Sequence, residues 1–111
     1  MSKVYVEKEA YGITAQSMEF VKEHLHLIGE VVRISGRLRG NKFDLPGREQ
    51  WVVFSDKEGN KIVVSGFSWG YAGEGPHGLL RAAEMVGFPL TIELIAGLAQ
   101  NQGWDIGKGG R

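Results

Sequence analysis

The chain contains no cysteine, which excludes disulfide bridges, thiolate zinc sites and a catalytic thiol. It has no apolar run near the ~18 residues that a membrane span requires. An excess of one charge sign is also missing, because thirteen Lys and Arg balance thirteen Asp and Glu. No global field therefore draws the protein to nucleic acid or to an anionic membrane, and charge-driven binding has to be local. The opening Met1-Ser2-Lys3-Val4 lacks the apolar core of a signal peptide, which points to the cytoplasm. No Gly-x-Ser-x-Gly or paired-acid motif occurs, and the histidines His24, His26 and His77 do not form a metal-ligand pattern. No nucleophile, base and orienting group can be assembled from these residues, so binding is expected rather than catalysis, with no cofactor and no metal.

What is present fits one small domain spanning 1–111, with 42% hydrophobic and 23% charged residues close to ordinary globular usage. Glycine is the outlier at 17 residues, roughly twice the common share. Lys3-Val4-Tyr5-Val6-Glu7-Lys8 alternates like a short strand or makes a loose arm. Met18, Val21, Leu25 and Ile28 recur at helical spacing, so a helix is expected near 15–28, with Thr14 or Ser17 as N-cap and Gly29 in a left-handed C′ position. From Glu30 to Arg39 the period is two: Val32, Ile34 and Leu38 point one way, Arg33, Arg37 and Arg39 the other. The turn-rich stretch 40–48 adds Lys42 and Arg48.

Residues 50–55 and 61–67 are β-branched and aromatic, and the polar Asp56-Lys57-Glu58-Gly59-Asn60 between them predicts a β-hairpin. Apolar residues on both faces of these strands predict a central position, with helices over one face and another chain or a ligand over the other. A glycine-rich segment then runs from Ser68 to Gly78 and enters a helix near 76–86, with Pro76 in its first turn and Gly87 at its end. Residues 90–96 read equally as a strand or as a helix capped by Thr91, and the tail 102–111 reads as flexible. The class is α+β: an antiparallel or mixed sheet of about four strands with two to three packed helices, expected to form a homo-oligomer and to leave membranes alone.

Two features suggest an anion site. A glycine-rich approach to a helix N-terminus lets a phosphate reach backbone N–H groups at Gly75, His77, Gly78 and Leu79, although Glu74 would repel a bare phosphate unless it meets a ribose hydroxyl or accepts from a nearby arginine. Arg33, Arg37, Arg39 and Arg48 offer guanidinium forks that match phosphate oxygens, and their mutual repulsion calls for an anion or for a nearby acid such as Glu7 or Glu30. The blander alternatives are a tight structural turn and a charge-guarded edge strand. Phe67, Trp69 and Tyr71 can stack a base or fill the core.

The run Trp69-Gly70-Tyr71-Ala72-Gly73-Glu74-Gly75-Pro76 resembles a Trp-Gly-Tyr-Gly-Gly-x-Gly-Pro signature of small phage, plasmid and prokaryotic proteins, with Ala72 in place of a glycine. Size, element order and the mix of arginines and aromatics also resemble the Thoeris anti-defence sponges of bacteriophages. That resemblance implies non-catalytic sequestration of a cyclic ADP-ribose-type or cyclic nucleotide signal in the host cytoplasm. Phe67, Trp69 and Tyr71 would stack adenine, and Gly73 to Gly78 with the arginines would hold the phosphates. Two other readings stay open: single-stranded nucleic-acid binding through Trp51, Phe54 and the basic 33–48 segment, and inhibition of a host protein by direct contact.

Overall fold

A computed structural model describes residues 2–8, 12–39 and 49–108. Five strands form one mixed sheet: β1 (Val4–Val6), β2 (Val31–Arg39), β3 (Glu49–Asp56), β4 (Lys61–Val64) and β5 (Trp104–Gly107), in spatial order β1-β4-β3-β2-β5. Only β1 against β4 is parallel; every other neighbouring pair is antiparallel. Three helices complete the domain: α1 (Thr14–His24), continued by a 3₁₀ turn at Leu25–Leu27, α2 (Glu74–Met85) and α3 (Ile92–Gly97).

The α+β class and the hairpin are as expected. The hairpin closes through Gly59 at φ 89°, a backbone geometry that suits glycine, and β3 lies at the centre of the sheet. Across it, Ile34 pairs with Phe54 and Phe54 with Ile62, giving a fully buried apolar row. Val21 of α1, Leu79, Ala82 and Ala83 of α2 and Ile95 of α3 pack on the same side, joined by Phe67, Trp69, Phe88 and Leu90. All three helices therefore cover one face, and burial of each large side chain there contributes about 1.5–3 kcal/mol. None of the helices among the described residues is long and apolar enough to cross a membrane.

The structure corrects several local expectations. Strand β2 shifts register between Val31 and Arg33, and the extra residue flips the alternation. Val31, not Val32, therefore enters the core with Ile34. The hydroxyls of Thr14 and Ser17 do not cap α1: Thr14 Oγ1 donates to Gly66 O at 2.8 Å and Ser17 Oγ to Glu7 Oε1 at 2.8 Å, while Ile13 is the N-cap without a side-chain bond. Gly29 does not adopt a left-handed conformation; its N–H donates to Asp56 Oδ2 instead. Residues 92–97 are helical, because Thr91 Oγ1 accepts from Leu94 N and caps the turn.

The tail expectation changes as well. Trp104–Gly107 is a strand paired with β2 from Arg33 to Gly36. Trp104 lies so close on Gly36 that a Cβ there would sit 2.2 Å from its Nε1. A glycine in β2 thus makes the bed for an indole that anchors the edge strand. Residues 109–111 lie outside the described residues, as do 40–48 with Lys42 and Arg48.

Candidate functional site

The glycine-rich segment is tied down by protein rather than left open. Phe67 and Trp69 are fully buried. Trp69 Nε1 donates to Ala99 O at 2.9 Å, and Gln50 brackets its peptide, accepting from Trp69 N and donating to Trp69 O. Trp104 meets the ring of Trp69 edge-on at 5.5 Å. Gly70, at φ 91°, turns the chain and donates to Ile95 O. Neither Phe67 nor Trp69 offers a ring face to a base, which corrects the expected stacking role.

The glycines that looked like a phosphate cradle meet side chains instead. A Cβ on Gly75 would lie 2.0 Å from Ser68 Oγ, and one on Gly78 would lie 2.3 Å from Thr14 Cγ2 and 3.1 Å from Phe67. Their lack of side chain serves close packing of α2 against α1 and the sheet. Gly73 is the N-cap of α2, and its carbonyl accepts from both His77 N and His77 Nδ1. His77 is thereby committed to backbone. Of the expected ligand residues in this segment, Tyr71 (45% exposed), Glu74 and His77 reach solvent, and the Tyr71 hydroxyl already shares a 2.8 Å hydrogen bond with Ser68 Oγ.

The arginines sit elsewhere. Ile34 and Val52 of the central strands face the helices, so the intervening positions Arg33, Ser35 and Arg37 of β2 face the opposite side. Arg33 Nη1 bonds Asp105 Oδ1 at 2.7 Å, and Ser35 Oγ donates to the same oxygen. The Arg33 hydrogen bond, aided by Ser35 and opposed by partial desolvation, holds the Asp105 carboxyl below its ordinary range. Arg37 Nη1 donates to the Gly36 and Trp104 carbonyls. The acid that relieves arginine repulsion is therefore Asp105, on the strand read as a flexible tail, not Glu7 or Glu30. Glu7 accepts from Ser17 and from both Ser65 N and Ser65 Oγ on the helix side, and Glu30 pairs with Lys108. Arg39 pairs with Glu49 in the β2–β3 ladder, and Arg48 lies outside the described residues.

Among the described residues, Arg33 and Arg37 thus lie on the face of the sheet opposite to the glycine-rich segment and do not meet it. The two aromatics expected to stack single-stranded nucleic acid offer no open ring, because Phe54 is fully buried in the core and Trp51 is only 5% exposed. Side chains of the described residues form no cluster of three or more potential metal ligands.

A different surface stands out on the arginine side. Val4 and Val6 of β1 are 56% and 40% exposed. Val6 pairs with Val63 and Val63 with Val53, both half-buried and outside the core cluster. This valine strip crosses three strands, with exposed Lys61, Arg33 and Arg37 beside it. No described helix covers it. The unbroken apolar runs at 51–54 and 62–64 carried this signal, and they announced a two-faced sheet without saying which face the helices cover.

The class defined by this architecture is a small mixed sheet backed on one face by its described helices, with no described helix on the other. No family model, curated protein or solved structure matches the chain.

Proposed function

We propose that this domain is a non-catalytic binding module that works through the helix-free face of its sheet, and that its target is a protein. The target surface would present carboxylates to Arg33, Arg37 and Lys61 around an apolar centre that meets the valines. One observation carries this reading: all three helices pack on one face and leave valines exposed beside cations on the other. Exposed contiguous apolar surface with a charged rim is the usual mark of a protein interface, and arginine is over-represented among the residues that dominate such contacts. An inhibitory effect on that target, in the cytoplasm, belongs to the same proposal.

Affinity capture with matched variants tests it. A protein retained by the wild type is expected to be lost with Arg37→Glu or Val53→Glu and kept with Tyr71→Ala. The opposite pattern returns function to the glycine-rich segment, as would calorimetric binding of an ADP-ribose-type or cyclic nucleotide that Tyr71→Ala abolishes and Arg37→Glu spares. Binding to oligonucleotides that strengthens with their length would favour the nucleic-acid reading instead.

A further inference from the structure

Strand β1 borders the sheet, with β4 as its neighbour on one side. The Lys3 carbonyl accepts from Lys61 N and Glu7 N donates to Val63 O, so the odd residues of this strand turn their backbone groups toward β4. The alternation of an extended chain then turns the N–H and C=O groups of Val4 and Val6 outward, away from the sheet. Among the described residues no strand pairs with this outer side, and an edge carrying two exposed valines is a template for another strand. Beside it, on the helix side, Glu7, Lys8, Gln16, Glu19, Phe20 and Glu23 line a shallow depression of about 200 Å³.

We infer that β1 is a self-association edge and that its occupant is a second copy of this chain, paired antiparallel about a two-fold axis at Tyr5. Such an axis sets Val4 opposite Val6 of the second copy and makes their outward N–H and C=O groups exchange hydrogen bonds reciprocally, since both residues are in the hydrogen-bonding orientation. Valines from the two copies meet on the open face, where directly opposed side chains lie close enough to pack. The same register brings exposed Lys3 of each copy beside the depression of the other, where the exposed Glu19 and Glu23 supply negative charge, Glu7 being buried and bonded within its own chain. Lys3 and the exposed acids of this depression are complementary across the two copies, and this charge match argues for a second copy as the occupant. The result is one continuous sheet across two subunits, with both open faces on the same side.

This inference stands apart from the proposed protein target, because it uses the edge of β1 rather than the arginines. Light scattering of the full chain over a concentration series is expected to show the mass rise from 12.2 kDa toward twice that, with the dimer weakening as salt screens the Lys3 contact. A contact this small implies a concentration-dependent equilibrium. In parallel, amide exchange at Val4 and Val6 is expected to slow as concentration rises. Val6→Pro removes an N–H that faces away from β4, so it is expected to stay folded and monomeric; Lys3→Glu is expected to stay monomeric through repulsion. A constant 12.2 kDa mass with Val4 and Val6 exchanging freely at every concentration overturns the inference, as does a dimer that survives both substitutions. Were Val6→Pro to unfold, Lys3→Glu and the exchange of the wild-type amides decide the matter alone. Loss of the captured target in Arg37→Glu with the dimer intact separates the two proposals.

Discussion

On the helix side of the sheet, Phe54 and Ile62 are fully buried, while on the other side Val53 and Val63, their immediate neighbours in the same two strands, stay half-buried. The residue types hardly differ; what differs is that the described helices lie over the first face and not over the second. Apolar side chains on the first face are enclosed by α1, α2 and α3 and hold the fold together, whereas the half-buried ones on the second face contribute less to stability. The glycine-rich segment belongs to the first face and the arginines to the second, so a sequence signature that looks like a site is a packing device, and a row that looks like surface charge borders the open ground.

The hardest way to break this contrast is to empty the covered face. Trp69→Ala removes the fully buried indole and its bond to Ala99 and is expected to cost about 3–5 kcal/mol in denaturant unfolding. A change near zero would mean that Trp69 is not a core residue. Gly75→Val drives a side chain into Ser68 and is expected to cost about 1–3 kcal/mol or more, seen as a lower melting temperature with no ligand present. Stability retained would reopen the segment as a cradle.

Acid titration gives an intermediate effect. Burial alone pushes the Asp56 carboxyl upward, but hydrogen bonds from the Asn60 side chain and from the backbone N–H groups of Gly29, Asn60 and Glu58 outweigh it and hold the group below its ordinary 3.8. A depressed native value means that the stabilisation is in full force above the unfolded-state value and is lost as pH falls through the native one. The stability gap between wild type and Asp56→Asn is therefore expected to narrow below about pH 4 and to stay constant at neutral pH, as followed by urea melts at several pH values. The smallest effects belong to the open face. Arg33→Ala breaks a half-exposed ion pair with Asp105 and should cost about 0.2–1 kcal/mol. Arg37→Glu should stay within about 0.5 kcal/mol of wild type in stability while losing the captured partner.

Much of the fold could be read from the chain. The strand pair around Gly59 and the helix between Pro76 and Gly87 combined periodicity with turn chemistry, so local rules and tertiary structure agreed. Residues 92–97 were ambiguous because Leu94, Ile95 and Leu98 satisfy either period, and a single hydrogen bond to Thr91 Oγ1 resolved them. Strand β5 was hidden in a glycine-rich tail, since four residues carry too little pattern; Trp104 resting on Gly36 orders it, a contact between positions far apart in sequence. The candidate site was legible only as parts. Arg33, Arg37 and the valines were visible, but Asp105 was not, and the glycines pointed to a ligand when their neighbours were Ser68 and Thr14.

Spacing along the chain settled the local matters, namely where strands alternate, where a helix begins and ends, and that two strands carry apolar residues on both sides. It did so because a period of two or of 3.6 is a property of neighbouring residues. The choice of the face that the helices would cover, the single-residue register shift that took Val31 inward in place of Val32, and the separation of the glycine segment from the arginines arose only on folding. Each depends on which distant surfaces gain most by leaving water together, and no local pattern records that competition.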